Sequence, residues 1–337
     1  MMNPKDIDGV KQLLASPKKI VIIPHRNPDG DAMGSTLGLY HFLKQKGHSP
    51  QVMVPNEAPD FLAWLPSFNT VKVFEKEPEE ATKILKAAEL IFTLDFNVLS
   101  RTGDQMEVVL QNLKVPFIMI DHHQKPGDYA LHTFSDTSFG STCEMIYHFI
   151  VAMGEKSLID KTIATCLYTG IVTDSGSFRY PLTTGTTHRV VADFIDLGID
   201  NTAIHSLLFD NHSHNRILIL ARALQNMKVL PVYKTSYTSL SQEELNSFGH
   251  AKGDTEGIVN YGLSMKDIAF TAFFTENKDE GIIKISFRSK GNFDVNQYAR
   301  EHFNGGGHIN AAGGKSTESL EATIQKFIAT LAHTKID

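Results

Sequence analysis

KKIVIIPHRNPDGDAMGSTLGLYHFLKQKG, Lys18 to Gly47, is the stretch that decides the fold. Its opening, KKIVII, is an apolar, β-branched run of the kind that forms a strand buried on both faces. Its end, AMGSTLGLYHFLKQKG, has helical spacing and stops at Gly47, a residue suited to close a helix. Between the two, one imidazole and two carboxylates, His25, Asp29 and Asp31, fall within seven residues. A strand that hands such side chains to a loop before a helix reads as the first unit of an open α/β sheet, where ligands bind outside the carboxyl ends of strands.

The pattern recurs downstream. LIFTL is followed by Asp95, FIMI by Asp121-His122-His123, and the apolar stretch ATCLYTGIVT by Asp174. TGDQMEVVLQNL, between two of these strands, has helical spacing, so a parallel sheet covered by helices is expected over residues 1–205. STCE (Ser141 to Glu144) is a capping-box pattern. Further helices are expected from about Asp160 to Thr173 and over TTGTTHRVVADFIDLG. HSLLFDNHSHNRILILARALQNM reads as helix with a break, giving a helical linker over 206–229. Residues 230–337 read as a smaller α+β domain. Its expected elements are a strand over KVLPVYKTSYTSL, a second capping box at SQEE, strands IAFTAFFTE and GIIKISFRS, a helix over VNQYAREHF leading into GGGH, and a last helix, SLEATIQKFIATLAH.

The bulk numbers agree with this division. At 337 residues the chain is long enough for two cores, and 42% apolar with 21% charged residues fits a globular protein. No apolar run approaches the roughly 18 residues of a membrane span. The N-terminal MMNPKDIDGVKQLL lacks a signal peptide's apolar centre, and the two cysteines, Cys143 and Cys166, sit in apolar helical patterns, so a cytoplasmic location with reduced thiols is expected. A formal charge of -6 argues against tracking along long nucleic acid, which calls for a basic stripe. Short anionic substrates, their charge offset by metal, fit better.

Taken singly, the acidic residues have ordinary readings. Asp29 in NPDG suits a turn, Asp174 suits a cap, and His122 and His123 suit partly buried core positions. Together they suggest a metal cluster. Carboxylates with imidazoles and no thiolate suit Mn²⁺, and also Mg²⁺, Co²⁺ or Zn²⁺. So many carboxylates would repel each other unless divalent cations offset them, and two cations roughly 3.5–4 Å apart can activate water and clamp a phosphoryl group. Phosphoester hydrolysis is the chemistry this pattern favours.

The ordered series His25-x-x-x-Asp29-x-Asp31, Asp95, Asp121-His122-His123, and Asp174 in TDSGSFRY resembles the motifs of the DHH phosphoesterases. GGGHINAAGG (Gly305 to Gly314) resembles the signature of the accompanying DHHA1 domain. The likeness spans nearly the whole chain. It implies an N-terminal DHH domain, a C-terminal DHHA1 domain and an active site in the cleft between them. Two-domain members of this length resemble NrnA-type nanoRNases, which cleave oligoribonucleotides of a few residues and dephosphorylate 3'-phosphoadenosine 5'-phosphate (pAp). The resemblance implies two Mn²⁺ ions, one on His25 and Asp29 and one on Asp31 and His122, bridged by Asp95 and completed by Asp174. Asp121 would support an imidazole, and His123 would face the phosphate. Arg288, Ser289, Gly305, Gly306, Gly307 and His308 would bind the substrate.

Other readings follow from the same residues. Hydrolysis of linear or cyclic dinucleotides is a related specificity. A RecJ-like single-strand exonuclease would call for a longer chain with a basic channel. Pyrophosphatase or polyphosphatase chemistry suits the metal site, but GGGH points away from it. An inactive nucleotide-binding module would have lost an acidic ligand, and none is lost here. Arg179 in SFRY is left open between substrate contact and loop support, Trp64 reads as packing, and His212 and His214 read as solvated or capping. No heptad or patch decides for or against a homodimer.

Overall fold

The computed structural model describes residues 2–336, and the chain divides after Asn211 into two units. In the first, α1 (Pro4–Leu13) precedes an alternation of β1 (Lys19–Ile23), α2 (Gly30–Gln45), β2 (Ser49–Val54), β3 (Lys72–Val73), α3 (Pro78–Ala87), β4 (Leu90–Leu94), α4 (Asp104–Gln111), β5 (Phe117–Asp121) and β6 (His132–Ser135). The strands form a parallel sheet in the order β3-β2-β1-β4-β5-β6. Strand order reverses at β1, which pairs with β2 on one side and β4 on the other. A crevice opens at such a point outside the carboxyl ends of the strands, which is where His25 and Asp95 leave β1 and β4.

The apolar runs are continuous because both sheet faces are covered. Ile20 and Ile22 join one core with Phe92, Ile118 and Ile120; Val21 and Ile23 join another with Ile91, Leu85 and Leu110. The first core is closed by α2, α5 (Thr142–Ala152) and α6 (Lys161–Asp174), followed by α7 (Gly185–Asp196) and α8 (Asn201–Phe209). Helices α2 and α6 approach closely at their glycines. A methyl group at Gly34 would lie 2.5 Å from the Cys166 carbonyl oxygen, and one at Gly170 would lie 2.7 Å from Asp31 Oδ1. That contact brings Asp31, in the first turn of α2, toward Asp174, the last residue of α6.

One helix start differs from its expectation. Ser141 caps α5, accepting from the Glu144 amide at 3.1 Å, but the Glu144 carboxylate accepts from the Thr187 hydroxyl at 2.9 Å instead. A buried tertiary partner outcompetes the local reciprocal bond. The reciprocal box forms instead between Thr184 and Thr187 at the start of α7.

The second unit comprises α9 (His214–Asn226), β7 (Lys228–Leu230), β8 (Thr235–Leu240), α10 (Gln242–Ser247), α11 (Asn260–Leu263), β9 (Phe270–Asn277), β10 (Ile282–Ser289), α12 (Val295–His302), β11 (Gly306–Gly307), β12 (Ala311–Ser316) and α13 (Leu320–Leu331). Its sheet runs β11-β12-β10-β9-β8-β7, with β8 and β9 parallel and the other pairs antiparallel. Phe270, Phe274, Phe287 and Phe327 fill its core. The segment read as one strand, KVLPVYKTSYTSL, is a hairpin: Pro231–Tyr233 form a 3-10 turn, Lys234 takes φ 45°, and β8 returns against β7. The SQEE box is present in full, Ser241 and Glu244 each capping the other. The helical segment of residues 206–229 is interrupted after Phe209, and its second part, α9, lies in the second unit.

Candidate metal-binding active site

The β1–α2 loop is pinned before it presents any candidate donor. Asn27, at φ 57°, donates its amide to Asn56 Oδ1 at 2.7 Å and accepts from Asn56 Nδ2 at 2.8 Å. His25 Nδ1 pairs with the Arg26 carbonyl oxygen at 2.9 Å, which leaves Nε2 facing the crevice. Asp29, which reads in the sequence as a turn residue or a metal ligand, is the N-cap of α2. Its Oδ1 caps α2, accepting from the Asp31 and Ala32 amides at 3.0 and 3.1 Å, while Oδ2 lies 3.9 Å from His25 Nε2.

Asp95 sits at the centre. It is the first residue past β4, buried, with φ 64°. Its Oδ2 is 3.3 Å from His25 Nε2, and its Oδ1 is 3.3 Å from His122 Nε2. One carboxylate thus turns one oxygen to each of two imidazoles. His122 follows β5, its Nδ1 3.2 Å from the Phe139 carbonyl oxygen, so its Nε2 is also turned to the cluster. That Nε2 lies 3.3 Å from Asp174 Oδ2 and 3.7 Å from Asp31 Oδ2. His123 Nδ1 lies 2.7 Å from Asp121 Oδ1 and 3.8 Å from Asp95 Oδ1. Ligand atoms of His25, Asp29 and Asp95 lie within 4.8 Å of one another, as do those of Asp31, His122 and Asp174.

The protonation of the metal-free cluster follows from this crowding. Burial pushes the Asp95 carboxyl up, but hydrogen bonds with His122 and His25 outweigh it and hold the group well below the usual range. Burial, then the charges of Asp95 and Asp174, push Asp31 well above that range against the pull of His122. Burial pushes Asp174 up to about 7, with His122 opposing and Asp29 and Asp95 adding to it. Burial disfavours the charge on His122 and His25, yet Asp95 and its acidic neighbours raise both. A set of oxygens and imidazole nitrogens converging around one shared carboxylate fits divalent cations that favour such donors, and Cys143 Sγ is turned away to the Asp31 backbone oxygen at 3.6 Å.

Sequence reading missed the residues that hold the candidate donors. Both Asp31 oxygens are gripped by the start of α5: the Thr142 amide donates to Oδ2 at 2.6 Å and the Cys143 amide to Oδ1 at 2.9 Å. The Thr142 hydroxyl donates to Asp95 Oδ1 at 3.0 Å. Asn97 clamps the loop after His123, donating to the Gln124 oxygen at 2.6 Å and accepting from the Gly127 amide at 2.7 Å. Arg179 Nε donates to the Gly176 oxygen at 2.7 Å, bracing a turn in which Gly176, Ser177 and Phe178 all have positive φ. Trp64 packs on the first core.

In the second unit, Arg288 and Ser289 end β10. Arg288 Nη1 donates to the Phe287 oxygen at 2.9 Å. Ser289 is buried; its hydroxyl donates to the Phe293 oxygen at 2.6 Å and accepts from Asn310 Nδ2 at 2.9 Å, so it shapes the loop. Two of the three glycine amides in the GGGH loop are bonded within the unit. The Gly305 amide donates to the Ala299 oxygen at 3.1 Å and that of Gly307 to Asn296 Oδ1 at 2.9 Å. Side chains at 305 and 307 would collide with the backbone of Gly313 and Ala311, so these glycines serve close strand approach. The amide of half-buried His308 donates to the Ala311 oxygen at 2.7 Å.

A doubly wound sheet that gathers imidazoles and carboxylates at its switch point is the class of α/β protein suited to holding divalent metal there, and comparison with known proteins narrows it. The model of the DHH family N-terminal domain matches residues 19–171, and that of the DHHA1 domain matches 235–334. A bifunctional oligoribonuclease and PAP phosphatase NrnA of Thermus thermophilus is 30% identical, over 87% of this chain and 83% of its own length. A probable protein of the same name from Streptococcus mutans is 28% identical, over 90% and 91%. The crystal structure of an exopolyphosphatase-related protein from Bacteroides fragilis superposes with a TM-score of 0.93 at 38% identity, covering 99% of this chain and 97% of that one. The chain belongs to the DHH family and is a phosphoesterase. Among the described residues, no helix is long and apolar enough to cross a membrane.

Proposed function

We propose that this protein is a Mn²⁺-dependent phosphoesterase that hydrolyses short single-stranded oligoribonucleotides to mononucleotides and pAp to AMP. The observation that carries the reading is Asp95, with an oxygen toward each of two imidazoles that belong to two separate donor groups. In this reading His25, Asp29 and Asp95 hold one cation, and Asp31, Asp95, His122 and Asp174 hold the other. The chemistry such ions supply is Lewis acidity, which acidifies water for attack and offsets charge on a phosphoryl group. Asp121 accepts the Nδ1 proton of His123 and orients the ring, so that Nε2 exchanges a proton with a phosphoryl or leaving oxygen. Arg288 and His308 bind the terminal nucleotide, on a loop shaped by Ser289 and Gly305 to Gly307. The substrate class rests on the names of the Thermus and Streptococcus relatives and on the acidic balance of the chain, which disfavours long duplexes. Two buried free cysteines accord with a cytoplasmic location.

The test is a Mn²⁺-supplemented assay on 5'-labelled RNA from two to about twenty nucleotides, with pAp, a cyclic dinucleotide and polyphosphate in parallel and EDTA as control. Loss of only the shortest RNAs, with phosphate release from pAp, supports the reading. Equal degradation of long single strands points to a processive exonuclease. Inertness toward RNA and pAp with Mn²⁺ bound overturns the assignment and leaves the other two substrates.

A further inference from the structure

The start of α5 contributes more than its own cap. The first amides of a helix have no partner within it. Here the Glu144 amide is taken by Ser141 Oγ, while those of Thr142 and Cys143 each reach an oxygen of Asp31. The Thr142 hydroxyl reaches Asp95 Oδ1, the oxygen that also faces His122. Ser141, Thr142 and Cys143 are at most 1% exposed, so water does not compete for these bonds. Two consecutive residues thus grip two carboxylates that stand 111 and 47 positions away in the chain.

We infer that Thr142 is a positioning residue for the metal centre: its hydroxyl orients Asp95, while its amide and that of Cys143 fix Asp31. This rests on the proposed metal-dependent reading. Each carboxylate oxygen has two lone pairs. Asp31 spends one on each oxygen toward α5, and Asp95 spends one of Oδ1 toward Thr142. The remaining lone pairs are aimed before any ion arrives, so neither carboxylate has to give up rotational freedom on binding. The arrangement also discourages the two-oxygen grip that Ca²⁺ commonly takes from a carboxylate, and favours ions content with one oxygen from each. Partners that orient metal ligands in this way are typically worth about 10- to 100-fold in metal affinity.

The experiment compares the full-length wild type with Thr142→Val, which keeps the branched shape and removes the hydroxyl, and Thr142→Ser, which keeps the hydroxyl. Mn²⁺ and Ca²⁺ binding are measured by titration calorimetry, and metal-free stability by thermal unfolding in EDTA. Thr142→Val is expected to lose about 10- to 100-fold in Mn²⁺ affinity and to narrow the preference for Mn²⁺ over Ca²⁺, with metal-free unfolding little changed. Thr142→Ser is expected to bind as wild type does. Equal Mn²⁺ affinity in Thr142→Val and wild type would overturn the inference and leave the metal-dependent reading standing. A wild type that binds no divalent cation would overturn that reading itself. Should Thr142→Val fail to fold, Thr142→Ala replaces it against Thr142→Ser. Weaker binding by the alanine variant alone supports the role of the hydroxyl, and equal binding refutes it.

Discussion

Asp95→Asn and Asp95→Ala should fail for different reasons, and the backbone separates them. Asp95 has φ 64°. Left-handed backbone costs an ordinary side chain about 1–2 kcal/mol, while Asp and Asn adopt it readily. Asn keeps the backbone fit and one acceptor oxygen for Thr142, but removes the charge shared by His25 and His122. Ala removes the charge, the acceptor and the tolerance of the left-handed state. In a unit of about this size, 1 kcal/mol shifts the melting temperature by about 2–4 °C, so Asp95→Ala should melt roughly 2–8 °C below Asp95→Asn in EDTA from strain alone. Both should lose Mn²⁺ binding by more than the roughly 10- to 100-fold expected for an outer partner, and both should lose hydrolysis of short RNA. Differential scanning calorimetry in EDTA and Mn²⁺ titration read the two effects separately. An alanine variant as stable as the asparagine variant refutes the strain argument. Wild-type Mn²⁺ affinity in Asp95→Asn refutes the assignment of Asp95 as the shared ligand.

Other outcomes follow from the same geometry. In the metal-free protein Asp31, Asp174, His25 and His122 all bind protons more tightly folded than unfolded. Stability from such groups is present at low pH and lost as pH rises, for Asp174 between about 4, where an unfolded aspartate titrates, and about 7. Asp95 has the opposite sign, its contribution lost only as pH falls below about 4. The urea midpoint in EDTA should therefore fall between about pH 5.5 and pH 8, and excess Mn²⁺, which binds the deprotonated ligands, should reverse the trend. A midpoint that rises with pH in EDTA contradicts this. Gly170→Ala would push a methyl group onto Cys143 Sγ and Asp31; it should destabilise by about 1–3 kcal/mol and weaken Mn²⁺ binding, and wild-type values for both in calorimetry would show that the α2–α6 contact yields freely. Asp121→Asn, which touches His123, should lower kcat by roughly 10-fold or more, part of what a positioned acid–base group contributes, with Mn²⁺ affinity nearly unchanged; steady-state kinetics beside a metal titration checks the split. Arg288→Ala should raise KM for pAp with little change in kcat, and an unchanged KM would remove Arg288 from the substrate contacts.

The parallel sheet and the positions of the candidate donors were legible because they rest on local signals. A strand buried on both faces must be a largely apolar run, as LIFTL and FIMI are, and a donor past its carboxyl end stands next to that run in the sequence. The glycine-rich loop was legible as a special backbone, but the direction of its amides was not, since that depends on Asn296 and Ala299 of another element. The hairpin in KVLPVYKTSYTSL was missed because its reversal uses Lys234 in a left-handed conformation, for which lysine gives no signal.

The sequence by itself determined which residues stand at the strand ends, and so the type of donor available to a metal. Only the tertiary structure decided how those donors are aimed. Asp29 is at once cap and candidate ligand, Asp95 divides its oxygens between two imidazoles, and STCE, which reads as a helix cap, supplies the bonds that orient Asp31 and Asp95. The reason is physical: helix and strand periods are set by near neighbours. The direction of a carboxylate lone pair is set by whichever donors the packing of α2, α5 and α6 brings to it, from residues far away in the chain.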